Sequence, residues 1–183
     1  MRPLAAALIL LATAPSPPRE LGGHEIAETV QVGDRTLVLN GAGIRKKLFF
    51  FPVYVCALYL EGRSGDPVAV LDADRPWQVT LHFMRNVGHH QILDVFHEAF
   101  QQESPGQAAP LSQELEKFHA VMEDVKQGQD LTISYVPGQG TTLRAPTGSW
   151  ATVPGKGFAD AVLRTWLGRK PADPELKERL LGR

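Results

Sequence analysis

The chain is 183 residues long, 43% hydrophobic and 21% charged, the composition of one globular domain with a sizeable core. Lys and Arg number 19 against 20 Asp and Glu, a net charge of -1, and with no dense basic tract this balance argues against nucleic acid as a partner. The single cysteine, Cys56, excludes an internal disulfide, and no CxxC pair or clustered Cys/His spacing points to a metal, so neither metal nor cofactor is expected.

The chain opens MRPLAAALILLATA, with Arg2 as a positive first region, an apolar run from Leu4 to Leu11, and Ala12 and Ala14 flanking Thr13. This is the pattern of a signal peptide. The run is too short for a spanning helix, which needs about 20 apolar residues. Pro15 disfavours a cut directly after Ala14, so processing is expected between Ala14 and Leu21, with an uncleaved anchor as the alternative. Residues 1–21 thus read as signal peptide and Pro-rich linker, and residues 22–183 as one domain. The expected location is periplasmic or secreted, with no stable membrane span after processing.

Past the linker, ETVQV and RTLVLN alternate as strands do, and Gly33-Asp34 between them predicts a hairpin turn. The apolar stretch LFFFPVYVCALYL predicts a long strand, with a bulge or edge register near Pro52, which lacks an amide donor. Cys56 within it reads as a buried small hydrophobe. EGRSGDP is turn-like, and WQVTLHFMRN predicts a strand with Val79, Leu81 and Phe83 on one face.

The period then changes. Ile92, Leu93, Phe96, Ala99 and Phe100 recur at helical spacing, as do Leu111, Leu115, Phe118, Met122 and Val125, which predicts two amphipathic helices. DLTISYV, TTLRAP and GSWATV predict three further strands. GKGFADAVLRTWLG predicts a helix closing on Gly168, and Asp173-Pro174 the capped start of another. Strands and helices that come in groups point to an α+β domain, an antiparallel sheet with helices on one face.

Two segments, LNGAGIRKKLFFFPVYVCALYLEG and VPGKGFADAVLRTWLGRKPADPELKERLLG, resemble the glycine-rich turn and following strands of the chalcone isomerase family and the closing segment of its bacterial, exported members. The resemblance spans roughly residues 26–182. It implies an open-faced β-sandwich, a large antiparallel sheet with a layer of helices and a ligand cleft between them. In the enzyme an arginine of the G-A-G-x-R turn stabilises a phenolate or enolate as the flavonoid ring closes, and Arg45 holds that motif position. Where the enzyme has a threonine this chain has Tyr54, and where it has a tyrosine this chain has Gln91.

With half of that constellation changed, the resemblance implies non-catalytic binding of a fatty acid or similar amphiphilic carboxylate, as in members that hold fatty acids. The expected ligand contacts are Arg45 at the head group, with Tyr54, Gln91, Phe49 and Phe51. The bland reading of Arg45 is a side chain capping a turn through backbone carbonyls. An intramolecular lyase with Arg45 as its catalytic residue is the alternative function, and haem binding through the adjacent His89 and His90 a further one. Trp150 and Trp166 read as core.

Overall fold

The computed structural model describes residues 19–48 and 50–183, so the expected signal peptide and the predicted contact Phe49 lie outside the described residues. Val55 to Leu60 are buried without a break, because this strand is covered on both faces. Its even-numbered side chains, Cys56, Leu58 and Leu60, join the core under the helices, while Val55, Ala57 and Tyr59 join a second, smaller core on the other face. Burial on both faces is why an unbroken apolar run can serve as a strand.

Around it, β1 (Arg19–Leu21) and β2 (His24–Ile26) form a two-stranded ribbon. A seven-stranded sheet follows from β3 (Thr29–Val32), β4 (Arg35–Lys47), β5 (Phe51–Leu60), β6 (Trp77–Phe83), β7 (Asp130–Val136), β8 (Gly140–Arg144) and β9 (Trp150–Val153). Its strands lie in chain order and each pairs antiparallel with the next. The sheet curls, so that Val136 of β7 packs with residues of β3 and β4 in the smaller core. The architecture is the expected α+β arrangement, with α1 (Pro67–Asp72), α2 (His89–Glu103), α3 (Ala108–His119), α4 (Lys156–Leu167) and α5 (Pro174–Leu180). No described helix is long and apolar enough to cross a membrane.

The Gly33-Asp34 hairpin forms as expected, and the register of β4 against β5 slips between Arg45 and Lys46, opposite Tyr54 and Pro52. Asp173 caps α5 by accepting from the Leu176 amide, with Pro174 in the first turn. Three expectations need correction, and one element was not foreseen. The glycine-rich turn is no turn: Gly41 and Gly43 lie inside β4. A Cβ at Gly41 would sit 2.6 Å from the Leu180 carbonyl oxygen, and one at Gly43 2.8 Å from Leu176 Cδ1. The glycines are there so that α5 can lie directly on the strand.

The second predicted helix ends at His119, short of Met122 and Val125. Val125 is instead extended, exchanging two 2.9 Å backbone hydrogen bonds with Val87. The turn-like EGRSGDP leads into α1, whose six residues are too few to show a helical period. Trp150 is 60% exposed, not core, because on the edge strand β9 it is Ala151 and Val153 that pack against the helix-side core.

Asn40 stands where β4 and β5 slip register, between Leu39 and Gly41. Its buried side chain donates to the carbonyls of Leu180 (2.7 Å) and Ser64 (3.0 Å) and accepts from the Ser64 amide (2.7 Å). A polar group taken out of water needs its partners, and these three bonds tie β4 to both α5 and the loop before α1.

Candidate functional site

Antiparallel register places three side chains in one row across the sheet: Arg45 of β4 pairs with Tyr54 of β5, and Tyr54 with Phe83 of β6. All three lie on the helix side of the sheet. The row floors a cavity of about 360 Å³, joined there by Val53 and Leu81, while Ile92, Val95 and Phe96 of α2 and Thr165 and Trp166 of α4 close it from the helix layer. Exposed Lys47, Arg85 and Asn86 also line it, at its solvent side. The volume falls in the range of small-molecule sites, which combine apolar walls with a few placed polar groups.

Arg45 donates through Nη1 alone, to Asp173 Oδ2 at 3.2 Å and to the Lys46 carbonyl at 3.0 Å. Among the described residues its Nε and Nη2 have no hydrogen-bond partner. The ion pair is partly buried, with 26% of the Arg45 side chain and 14% of Asp173 exposed. Asp173 therefore orients the guanidinium from the cap of α5, and the remaining edge of the fork is the geometry that binds a carboxylate with two parallel bonds. Arg45 caps no turn, but it reaches one backbone carbonyl, that of Lys46 within β4, so the residue serves the fold and lines the cavity at once.

Tyr54 packs edge-on against Phe83, ring centroids 5.6 Å apart, and its hydroxyl accepts from Trp166 Nε1 at 3.3 Å. Burial first, and then the neighbouring Cys56, push the Tyr54 pKa well above the usual tyrosine value. The hydroxyl thus stays protonated, and with its oxygen accepting from the indole, its own proton is available to donate. Cys56, alone and buried, has its thiol pKa driven up by desolvation, which leaves it inert as a nucleophile.

Gln91 lines the cavity from the first turn of α2, where its Oε1 accepts from the Gly88 amide at 3.3 Å. Arg45, Tyr54 and Gln91 thus meet at one cavity. Phe51 does not line it; it stands 55% exposed near the tip of the β4–β5 hairpin, beyond the register slip at Pro52. Of the lining residues not singled out as contacts in the sequence, two bring a polar group from α4. Trp166 reads as core and is buried, but its indole N–H also fixes Tyr54. Thr165 lines the cavity with a buried Oγ1 that has no hydrogen-bond partner among the described residues, and nothing in the spacing of α4 marks it.

A model of the chalcone isomerase-like family matches residues 18–182. The solved structure of a fatty-acid binding protein from Arabidopsis thaliana is similar in fold, with a TM-score of 0.69 over 87% of this chain and 92% of that one, at 15% sequence identity. No curated protein matches the sequence.

Proposed function

The chain belongs to the chalcone isomerase-like family, and from that premise we propose that it binds, without turning it over, a fatty acid or similar amphiphilic carboxylate in the cavity between β4–β6 and the helices α2 and α4. The observation that carries this reading is the pairing of Arg45 with Asp173 through one nitrogen only, which leaves Nε and Nη2 without a partner among the described residues at a side chain that lines the cavity. The head group would take those two nitrogens, with the Tyr54 hydroxyl as a further donor, and the tail would run along Leu81, Phe83, Ile92 and Phe96. The fold neighbour is itself a fatty-acid binding protein, which supports the same direction.

Calorimetric titration with saturated fatty acids of graded length tests it. Arg45→Ala should weaken binding by about 1.5–3 kcal/mol, the worth of a charge-assisted hydrogen bond. Each methylene removed should cost up to about 0.8 kcal/mol in wild type and variant alike. Because Arg45 also holds the cap of α5, the variant should lose about 1 kcal/mol of stability, more than the near-neutral change expected of a pure ligand contact. No binding at any length, or binding indifferent to Arg45, sinks the reading.

One arrangement favours a second reading. A guanidinium beside a protonated, oriented hydroxyl, Arg45 with Tyr54, could also stabilise an enolate while a phenol oxygen adds to a double bond. Loss of chalcone colour with wild type but not with Arg45→Ala would establish the lyase. Haem gains no such support, since His89 and His90 do not line the cavity. The proposal extends to placement: residues 1–14 direct export to the periplasm or medium, as in the bacterial exported members that the closing segment resembles. N-terminal sequencing of the mature protein decides it, and an intact Met1 in a membrane fraction would make the segment an anchor.

A further inference from the structure

Five of the six histidines fall into two clusters, and neither touches the ligand cavity. In the first, His89 and His90 open α2, and His119, some thirty residues on in the chain, closes α3 against them. One ring nitrogen of each lies within 4.8 Å of one from each of the others. The ring centroids are 3.9 Å apart for His89 and His90, 5.8 Å for His89 and His119, and 5.6 Å for His90 and His119. We propose that His89, His90 and His119 form a binding site for a divalent transition ion of the zinc class.

Imidazole nitrogens bound tetrahedrally at about 2.0–2.1 Å stand roughly 3.3 Å from one another, so the rings need only a small rotation to converge. Two of the three are already backed by a carboxylate. His89 Nδ1 lies 2.7 Å from Asp124 Oδ1, and the His89 amide donates to the same oxygen at 2.9 Å. His119 Nδ1 lies 3.2 Å from Glu116 Oε2. A carboxylate on one ring nitrogen fixes the tautomer and presents the other to a metal. Here that leaves Nε2 of His89 and of His119.

The two helix ends are held together before any ion arrives. The paired hydrogen bonds between Val87 and Val125 join the residue two before α2 to the segment that follows α3. Charge around the cluster also permits a cation. The start of α2 is unfavourable for one, but the C-terminal end of α3 is favourable, and Asp124 and Glu116 supply negative charge close by. Three neutral imidazoles with no thiolate select zinc, copper or nickel over magnesium or calcium.

The second cluster, His24, His82 and Asp130, has ligand atoms equally close together but its rings are arranged differently. Its two rings stack 3.6 Å apart and within 11° of parallel, and Asp130 is already bound to His82 Nδ1 at 2.6 Å. Stacked parallel rings do not converge on a point, so this cluster serves as the control.

The test uses the full chain, stripped with a chelator and titrated with Zn²⁺ in a calorimeter and with Co²⁺ by visible absorption. One ion per chain is expected, with the intense d–d bands of four-coordinate cobalt. His119→Ala and His90→Ala should each abolish the cobalt bands. Asp124→Asn should weaken zinc binding about 10- to 100-fold, as removal of a carboxylate behind a ligand does. His24→Ala should change nothing. Zn²⁺ should raise the unfolding midpoint of wild type and not of His119→Ala. His119→Gln, of similar size, serves if the alanine variant is poorly folded. No saturable binding, or binding that survives His119→Ala or His119→Gln and falls with His24→Ala, overturns the proposal.

Discussion

Gly41, Gly43 and Arg45 follow one another on the same face of β4, opposite Leu58, Cys56 and Tyr54, but the two ends of this row are covered differently. Over Gly41 the backbone of α5 lies against the strand, and over Gly43 the side chains of Leu176 and Arg179 do, so close that a methyl group would strike them. Beside Arg45 and Tyr54 the helix layer stands off and leaves the cavity. The register is continuous along the row and the difference is in the side chains. Where they are absent the helix closes on the sheet, and where they are large and polar it is held away. A binding site in such a sheet is therefore the place at which close packing has been withheld, and its neighbour is the place that packs most closely.

Adding a side chain at the sealed end is the strongest challenge to that contrast. Gly41→Ala should lose about 3 kcal/mol of stability through overpacking against Leu180. A loss below about 1 kcal/mol in denaturant unfolding would mean that α5 shifts freely, and the seal would be no seal. Asn40→Ala attacks the same end chemically. It should cost about 2 kcal/mol, because the Leu180 and Ser64 backbone groups are left buried without their partner.

At the open end the sign should reverse. Thr165→Val removes a buried hydroxyl with no partner among the described residues, so the unliganded protein should gain about 1 kcal/mol of stability. If the hydroxyl is kept for a ligand, fatty-acid affinity measured by the same titration should fall. A variant that is less stable and binds unchanged would place Thr165 in the core alone.

The smallest effect is expected on the far face of the sheet, away from both ends. Burial and the charge of neighbouring His82 lower the pKa of His24 below its ordinary 6.5, against the opposing pull of Asp130 and Glu25. The folded state thus resists protonating it. Stability from this group is complete above pH 6.5, falls as the pH drops below that value, and stops falling once the lowered pKa is passed. His24→Gln should flatten that part of a stability-against-pH curve.

Much of the fold is legible in the sequence, since β6, β7 and α2 declare themselves by the period of their buried residues and Asp173-Pro174 by its capping chemistry. Two of the misreadings share a cause. Gly41 and Gly43 read as a turn because local sequence cannot show a helix arriving from residues 174–180. Met122 and Val125 fit a helical period, but pairing with Val87, distant in sequence, pulled the chain straight. The site was legible to the extent that it sits on one strand, as Arg45 and Tyr54 do. Thr165, and the meeting of His119 with His89 and His90, depend on how helices are laid over the sheet, and no spacing records that.

Cys56 occupies the middle of the row, paired with Gly43 and next but one to Tyr54, and none of its surface is exposed. As the chain's one thiol, it turns the boundary between the sealed and open ends into a clock. A thiol reagent can reach it only when α5 lifts from β4 or the helix layer parts from the sheet. The labelling rate of the untouched protein therefore counts those openings. Its slowing on addition of a fatty acid would measure how firmly an occupied cavity holds the two layers together.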